Sequence, residues 1–187
     1  MVEKMRLVYL ILFLASYLVG YSQDIDTVKC WQLNNRLNWS DFKGEIPKDK
    51  IALNVMAVCP HEIIVKPLRS DGLLSFEIRV LFLKNQAWTK DTSEYTLLHE
   101  QLHFDIAELH ARKLRKAIAQ IKPSSDLNSY RHIIESYLAA NDKMQREYDT
   151  LTAHGIYSSV QIEWNAKIEK ELDLLKEYTT TVEDCKN

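Results

Sequence analysis

Hydrophobic positions in the first part of the chain alternate with polar ones. The clearest alternation runs from Leu74 to Phe82, where the even positions are apolar, and it predicts a half-buried strand. Apolar runs at Ile51–Cys59 and Glu62–Lys66 predict two further strands, the second bounded by prolines, and Asp71-Gly72 predicts a turn. We therefore expect an antiparallel or mixed sheet in this part of the chain.

After residue 90 the apolar positions recur every three or four residues, which is the period of an amphipathic helix. Three segments have this pattern, at about 91–121, 130–151 and 158–178. Asp91 with Glu94, and Ser158 with Gln161, form capping-box patterns at the starts of the first and third segments. The sequence predicts an α+β domain in which a sheet is followed by three long helices.

Residues 1–22 have the pattern of a signal peptide. Lys4 and Arg6 precede a run of thirteen apolar residues, Leu7–Val19, and small residues favour cleavage before Gln23. The run is shorter than the roughly 20 residues that span a bilayer, although an uncleaved N-terminal anchor is the alternative. We expect a secreted or periplasmic protein with one domain, residues 23–187, and no stable membrane insertion after cleavage.

Composition narrows the function classes. Without Lys4, Arg6 and Glu3, the 24 basic and 26 acidic residues become 22 and 25, a net charge of −3 that gives no sign of nucleic-acid binding. Export permits a disulfide, for which Cys30–Cys59 is the expected pair, and Cys185 near the tail is the other candidate partner. No Cys-x-x-Cys spacing points to thiolate binding of zinc.

The first predicted helix contains the motif His-Glu-x-x-His, at His99, Glu100 and His103. Four residues turn a helix by about 400°, so the two histidines lie on one face and can hold one Zn²⁺ at about 2.0–2.1 Å. Glu100 can then act as general base toward a water that the metal activates. This is the chemistry of metal-dependent peptide hydrolysis, and the motif predicts a zinc peptidase.

A catalytic zinc usually takes a third protein ligand. His110 lies about 10 Å further along the helix axis than His103, too far for the same metal, and Glu108 points to another side of the helix, where a salt bridge is expected. His132 and Glu135 on the next helix remain as alternatives. We favour His154, since the second helix ends there and a loop can re-aim its side chain.

Supporting roles are predicted for a few other residues. Tyr148 or Tyr157 is the nearest candidate to stabilise an oxyanion, and Asp105 and Asp149 can orient the ligand imidazoles through their free N–H groups. The predicted strand Leu73–Leu83 can either lie beside the cleft and pair with a peptide substrate or serve as an ordinary core strand.

The motifs together resemble a family of secreted bacterial proteins of unknown function that are described as Zn-dependent proteases. The resemblance covers nearly the whole mature chain and rests on the following segments: Leu37–Gly44, His99–Asp105, Tyr148-Asp149, Thr152–Gly155, Gln161 and Trp164. It implies a zincin-like metallopeptidase domain and strengthens His154 as a ligand. This chain has Leu102 where the family often has a smaller residue.

The expected function is therefore hydrolysis of a peptide or protein substrate by a secreted zinc metallopeptidase. Two alternatives remain open, a non-catalytic zinc-containing binding module of the cell envelope and a zinc amidase acting on peptidoglycan. Glu100 favours catalysis, because a purely structural metal site does not need a base beside its ligands.

Overall fold

A computed structural model describes residues 27–51 and 55–186, so the predicted signal peptide lies outside the described residues. The chain forms a three-stranded antiparallel sheet followed by three helices, which confirms the α+β prediction. The strands and helices are β1 Val28–Cys30, β2 His61–Ser70, β3 Leu73–Leu83, α1 Glu94–Ala119, α2 Asn128–Thr152 and α3 Ser158–Leu174. Short 3-10 helices occupy Trp39–Asp41, Lys48–Lys50 and Lys176–Tyr178.

The sheet has the order β1-β3-β2, with β2 and β3 joined as a hairpin. Asp71 and Gly72 connect the paired residues Ser70 and Leu73, and both have positive φ, 50° and 79°. An Asp-Gly pair suits such a two-residue turn, which confirms the predicted turn. The even positions of β3 from Ile78 to Phe82 are buried, as their alternation predicts.

Two strand predictions need correction. Residues 52–54 lie outside the described part, and residues 55–59 form one isolated bridge, Ala57 with Thr89, where a strand was predicted. The second predicted strand does not stop at Pro67 but continues to Ser70. Because β2 is an edge strand, a residue without a backbone N–H is tolerated within it.

Helix α1 lies between two hydrophobic cores. Phe104, Ala107 and Ala111 pack toward the sheet, whereas Leu102, Ile106 and Leu109 pack toward α2 and α3. Every residue from 99 to 112 is buried, so this helix is enclosed on all sides. Among the described residues, none of the helices is long and apolar enough to cross a membrane.

The helix caps differ from the sequence prediction. Ser93, not Asp91, is the N-cap of α1, since its Oγ accepts a hydrogen bond from Thr96 N at 3.2 Å, and Asp91 in turn accepts from Ser93. The predicted capping box of Ser158 and Gln161 is also wrong: α3 has Tyr157 as N-cap without a side-chain hydrogen bond. Helix α3 ends at Leu174, four residues before the predicted end.

The C-terminal segment returns to α1 and is fixed there by a buried carboxylate. Glu108 accepts hydrogen bonds from Thr180 N at 2.9 Å and Thr180 Oγ1 at 2.6 Å, and it pairs with Arg112. This anchor brings the tail to β1, where Cys30 forms a disulfide with Cys185. The predicted Cys30–Cys59 pair is therefore wrong, and Cys59 is a free thiol buried in the core on the sheet side.

Candidate metal centre

Three donor atoms converge at the N-terminal half of α1. His99 and His103 stand one turn apart, and the Nε2 atoms of both rings face Asp149 Oδ1, at 3.3 Å and 2.9 Å. Each of the three residues has a donor atom within 4.8 Å of the others. Ligands held tetrahedrally at about 2.0–2.1 Å from one zinc are about 3.4 Å apart, so this spacing fits a metal site.

The contact between His103 Nε2 and Asp149 Oδ1 requires positive charge between them, from either a proton or a metal ion. Burial raises the pKa of Asp149, but the hydrogen bonds with His103 and His99 outweigh burial and hold this pKa well below its usual range. Burial lowers the pKa of His103, but Asp149 and Glu100 outweigh it and raise the pKa overall. Burial dominates at His99 and lowers its pKa.

His154 lies at the rim of this cluster. Its Nδ1 is 3.5 Å from Asp149 Oδ1, and its side chain is 57% exposed. It is not part of the group whose donor atoms all lie within 4.8 Å of one another. His154 therefore lies beside the cluster. Asp149, which was predicted to orient a ligand imidazole, instead faces the Nε2 atoms of both His99 and His103.

The imidazole of His99 lies between the ring of Tyr148 and the backbone of Gly155. Tyr148 stacks on one face of its imidazole with ring centroids 4.7 Å apart. Gly155 approaches the same ring so closely that a Cβ atom there would lie 3.3 Å from His99 Cγ. Ala153, His154 and Gly155 all have positive φ, which turns the chain sharply after α2 and places Gly155 against the ring.

Glu100 lies beside the three donors and faces the same cleft. It is 3% exposed, and its Oε2 has no hydrogen-bond partner among the described residues. Burial raises the pKa of Glu100 to about 7, with a smaller contribution in the same direction from Asp149 and an opposing one from His103. A carboxyl group with this pKa suits proton transfer near neutral pH.

The cluster opens into a cleft of about 840 Å³. The segment 55–60 forms one wall, held by hydrogen bonds from Val58 N to Trp88 O and from Lys90 N to Met56 O. Apolar residues dominate the lining: Val55, Met56, Val58, Pro60, Trp88 and Ile156. Strand β3 contributes no lining residue and pairs with β2 along its length, so the core-strand alternative holds for Leu73–Leu83 and the peptide-pairing role is wrong.

The other sequence candidates lie outside the cleft. Asp105 accepts hydrogen bonds from Trp31 Nε1 and Arg36, so its predicted role of orienting an imidazole is wrong. Glu108 makes the predicted salt bridge. The remaining candidates do not line the cleft: His110, His132, Glu135, Tyr148 and Tyr157. Tyr148 instead packs against the rings of His99 and His103, and its buried OH has no partner among the described residues.

The glutamine at the cluster, Gln145, is not among the residues predicted from the sequence. Gln145 Oε1 lies 2.6 Å from His103 Nδ1, one helical turn before Asp149 on α2. That spacing was the available signal, because residues four apart share one face of a helix. Gln161 lies near His99 and acts to raise its pKa. Gln161 Oε1 and His99 Nδ1 both lack a hydrogen-bond partner among the described residues.

Comparison with known proteins gives one match. No curated protein and no solved structure matches the chain. Residues 83–155, from the last residue of β3 through Gly155, match a family described as "Bacterial protein of unknown function (DUF922)". The match includes the histidine motif, Asp149 and the turn after α2, and it covers less than half of the chain. The chain is therefore similar, over the segment that carries the candidate metal centre, to a bacterial family of unknown function.

Proposed function

We propose that this protein is a secreted zinc-dependent metallopeptidase with a zincin-like catalytic domain. The observation that carries the proposal is the convergence of His99 Nε2, His103 Nε2 and Asp149 Oδ1 beside the buried carboxyl group of Glu100. Two imidazoles and one carboxylate with a free fourth position are a donor set that catalytic zinc sites use. His154 adds a further imidazole at the rim.

The residues present fit a divalent cation. Asp149 and the rim position of His154 allow adjustment, since their side chains are 32% and 57% exposed, while the two α1 histidines are fixed by the core. When bound, such a metal lowers the pKa of a water and polarises a substrate carbonyl. Zinc is our choice over magnesium or calcium because imidazole ligands suit it and the hard cations prefer oxygen.

Glu100 supplies the proton transfer. Glu100 lines the cleft, and its buried Oε2 has no hydrogen-bond partner among the described residues, so it can take a proton from the attacking water and pass it to the departing amine. His99 and His103 cannot serve as bases at the same time as they bind metal through Nε2. The carboxyl group of Glu100 is thus the base that the cleft offers next to the donor atoms.

The lining of the cleft favours peptides over the peptidoglycan alternative. Most of its exposed lining surface is aliphatic and aromatic. A volume of about 840 Å³ accommodates a few residues of an extended chain. We therefore propose a peptide or protein substrate with apolar side chains next to the scissile bond.

The test compares zinc-loaded protein, chelated protein and the variant Glu100→Gln on an unfolded protein substrate. We expect cleavage by the wild type, loss of cleavage on chelation with recovery on adding zinc, and retention of zinc by Glu100→Gln with activity lowered by at least about 100-fold. Glu147→Gln, which removes a charge from an exposed position on α2, is the matched control and should cleave normally.

Three results would contradict the proposal in different ways. Zinc binding without cleavage of peptides would favour the binding module. Cleavage of peptidoglycan peptides in preference to unfolded protein would favour the amidase. Cleavage by Glu100→Gln at the wild-type rate would remove Glu100 from the mechanism.

A further inference from the structure

Gln145 connects His103 to His61 across three elements of the fold. Its side chain extends from α2 and places Oε1 2.6 Å from His103 Nδ1 on α1 and Nε2 3.0 Å from His61 Nε2 on β2. The same Nε2 also lies 2.9 Å from His103 O and 3.1 Å from Asn141 Oδ1. The NH₂ group thus faces three acceptors with its two hydrogens, and the amide oxygen faces His103 Nδ1.

The direction of these hydrogen bonds follows from groups that can only accept. His103 O is a backbone carbonyl, so the amide atom facing it is the NH₂ group, and Oε1 must face His103 Nδ1. His103 Nδ1 therefore carries a proton. At the other end Cys59 O lies 2.8 Å from His61 Nδ1, so that nitrogen donates and His61 Nε2 accepts from Gln145.

Because Gln145 holds a proton on His103 Nδ1, Nε2 is the ring nitrogen left to bind a metal. Nε2 faces Asp149 Oδ1 at 2.9 Å, so it carries a second proton when no metal is bound. If the amide were flipped, its oxygen would face two acceptors, His103 O and the lone pair of His61 Nε2. These neighbours therefore fix the orientation of the Gln145 amide, and the amide in turn fixes the ring of His103. Metal-binding histidines need such a partner to fix which nitrogen binds.

We propose that Gln145, oriented by His61, is a positioning residue that selects the Nδ1–H form of His103 and so presents Nε2 to a metal. The inference rests on the proposed function for the identity of the ligand, but the hydrogen bond from His103 Nδ1 to Gln145 is a property of the metal-free chain. It explains why a half-buried glutamine lies beside the cluster and why His61, which touches no donor atom, lines the same cleft.

The experiment measures the proton position and zinc affinity separately. Nitrogen-15 NMR of the metal-free protein should show a proton on His103 Nδ1 that is hydrogen-bonded to Gln145. In Gln145→Met, which keeps the length and removes both hydrogen-bonding groups, this Nδ1 proton should be lost while the proton on Nε2, bonded to Asp149, remains. Zinc affinity should fall by about 10- to 100-fold. Arg146→Gln, an exposed neighbour, should change neither quantity.

His61→Phe provides a second variant if Gln145→Met does not fold, because it leaves Gln145 in place and removes one acceptor that orients it. A partial loss of the Nδ1 proton of His103 is expected there. Absence of a proton on His103 Nδ1 in the wild type, or an unchanged Nδ1 proton in both variants, would overturn the inference. Absence of zinc binding by the wild type would overturn the proposed function while the NMR result still decides the role of Gln145.

Discussion

Gly155 packs directly against His99, since a Cβ atom at position 155 would lie 3.3 Å from His99 Cγ and 3.4 Å from His99 Nδ1. Gly155→Ala should therefore displace the imidazole, and its φ of +85° adds backbone strain of about 1–2 kcal/mol. We expect zinc affinity to fall by at least about tenfold, together with a lower free energy of unfolding. Metal titration and denaturant unfolding measure the two effects.

Gly72→Ala is the matched control for this prediction. Gly72 has a similar φ of +79°, and a Cβ atom there would meet nothing within 4 Å. The control should lose stability through the same backbone strain and keep its zinc affinity. Equal loss of affinity in both variants would show that strain alone, and not contact with His99, accounts for the effect.

Substitutions at Asp149 and His154 should lower zinc affinity to different extents. If the three converging atoms hold the metal, Asp149→Asn should weaken zinc binding by about 100-fold or more, more than loss of a supporting contact. His154→Ala should then weaken it by less than about tenfold. Competition with a chromophoric chelator measures both, and Glu147→Gln serves as the control for charge on α2.

If His154 is the third ligand, as the sequence predicts, His154→Ala should lower zinc affinity more than Asp149→Asn. A loss with His154→Ala that exceeds the loss with Asp149→Asn would assign the ligand to His154 and leave Asp149 as its support. Equal large losses would mean that both residues contact the metal.

His110 should make the protein less stable in mild acid. It is buried on α1, and neither ring nitrogen has a partner among the described residues. Burial lowers its pKa to about 4, Lys113 acts in the same direction, and Glu171 and Asp142 oppose. Because the folded pKa is below the unfolded value, the unfolded chain takes up the proton first, and stability falls as the pH drops from about 6.5 toward 4.

The measurement is the free energy of unfolding against pH for the wild type and His110→Leu. The variant should lose less stability across this window, with a difference on the order of 1–3 kcal/mol at its acid end. His132→Leu, which replaces an exposed histidine of α2, should follow the wild-type curve. Parallel curves for wild type and His110→Leu would contradict the prediction.

The Cys30–Cys185 disulfide should contribute strongly to stability because it closes a loop of 155 residues. The loop-entropy relation gives up to about 5 kcal/mol for this length. We expect the double variant Cys30→Ser, Cys185→Ser to unfold at lower denaturant concentration than the oxidised wild type. Reduced wild type should match the double variant; a reduced protein as stable as the oxidised one would contradict the prediction.

The parts of the fold that the sequence predicts are those that local spacing determines. The helical period fixes His99 and His103 on one face of α1, and the alternation in β3 fixes which residues enter the core. The Asp71-Gly72 turn follows from two residues alone. These features need no knowledge of how distant segments meet.

The failures arise where distant segments meet. Asp149 reaches the histidines only because α2 crosses α1 at that point, and nothing in the spacing of residues 99–103 encodes this. The disulfide partner of Cys30 depends on Glu108 drawing Thr180 and the tail back to α1. The apolar run Ile51–Cys59 reads as a strand, yet its described part is apolar because it lines the cleft.

Residues 99–112 of α1 are buried, so the part of α1 that carries His99 and His103 should open locally less often than the end of α2 that carries Asp149. Amide hydrogens of α1 around residues 99–112 should exchange with solvent only when the whole domain unfolds, whereas the last turn of α2 can fray by itself. An ion bound by His99, His103 and Asp149 would hold the last turn of α2 against α1. Hydrogen exchange at the end of α2 would then report metal occupancy while exchange in α1 stays unchanged.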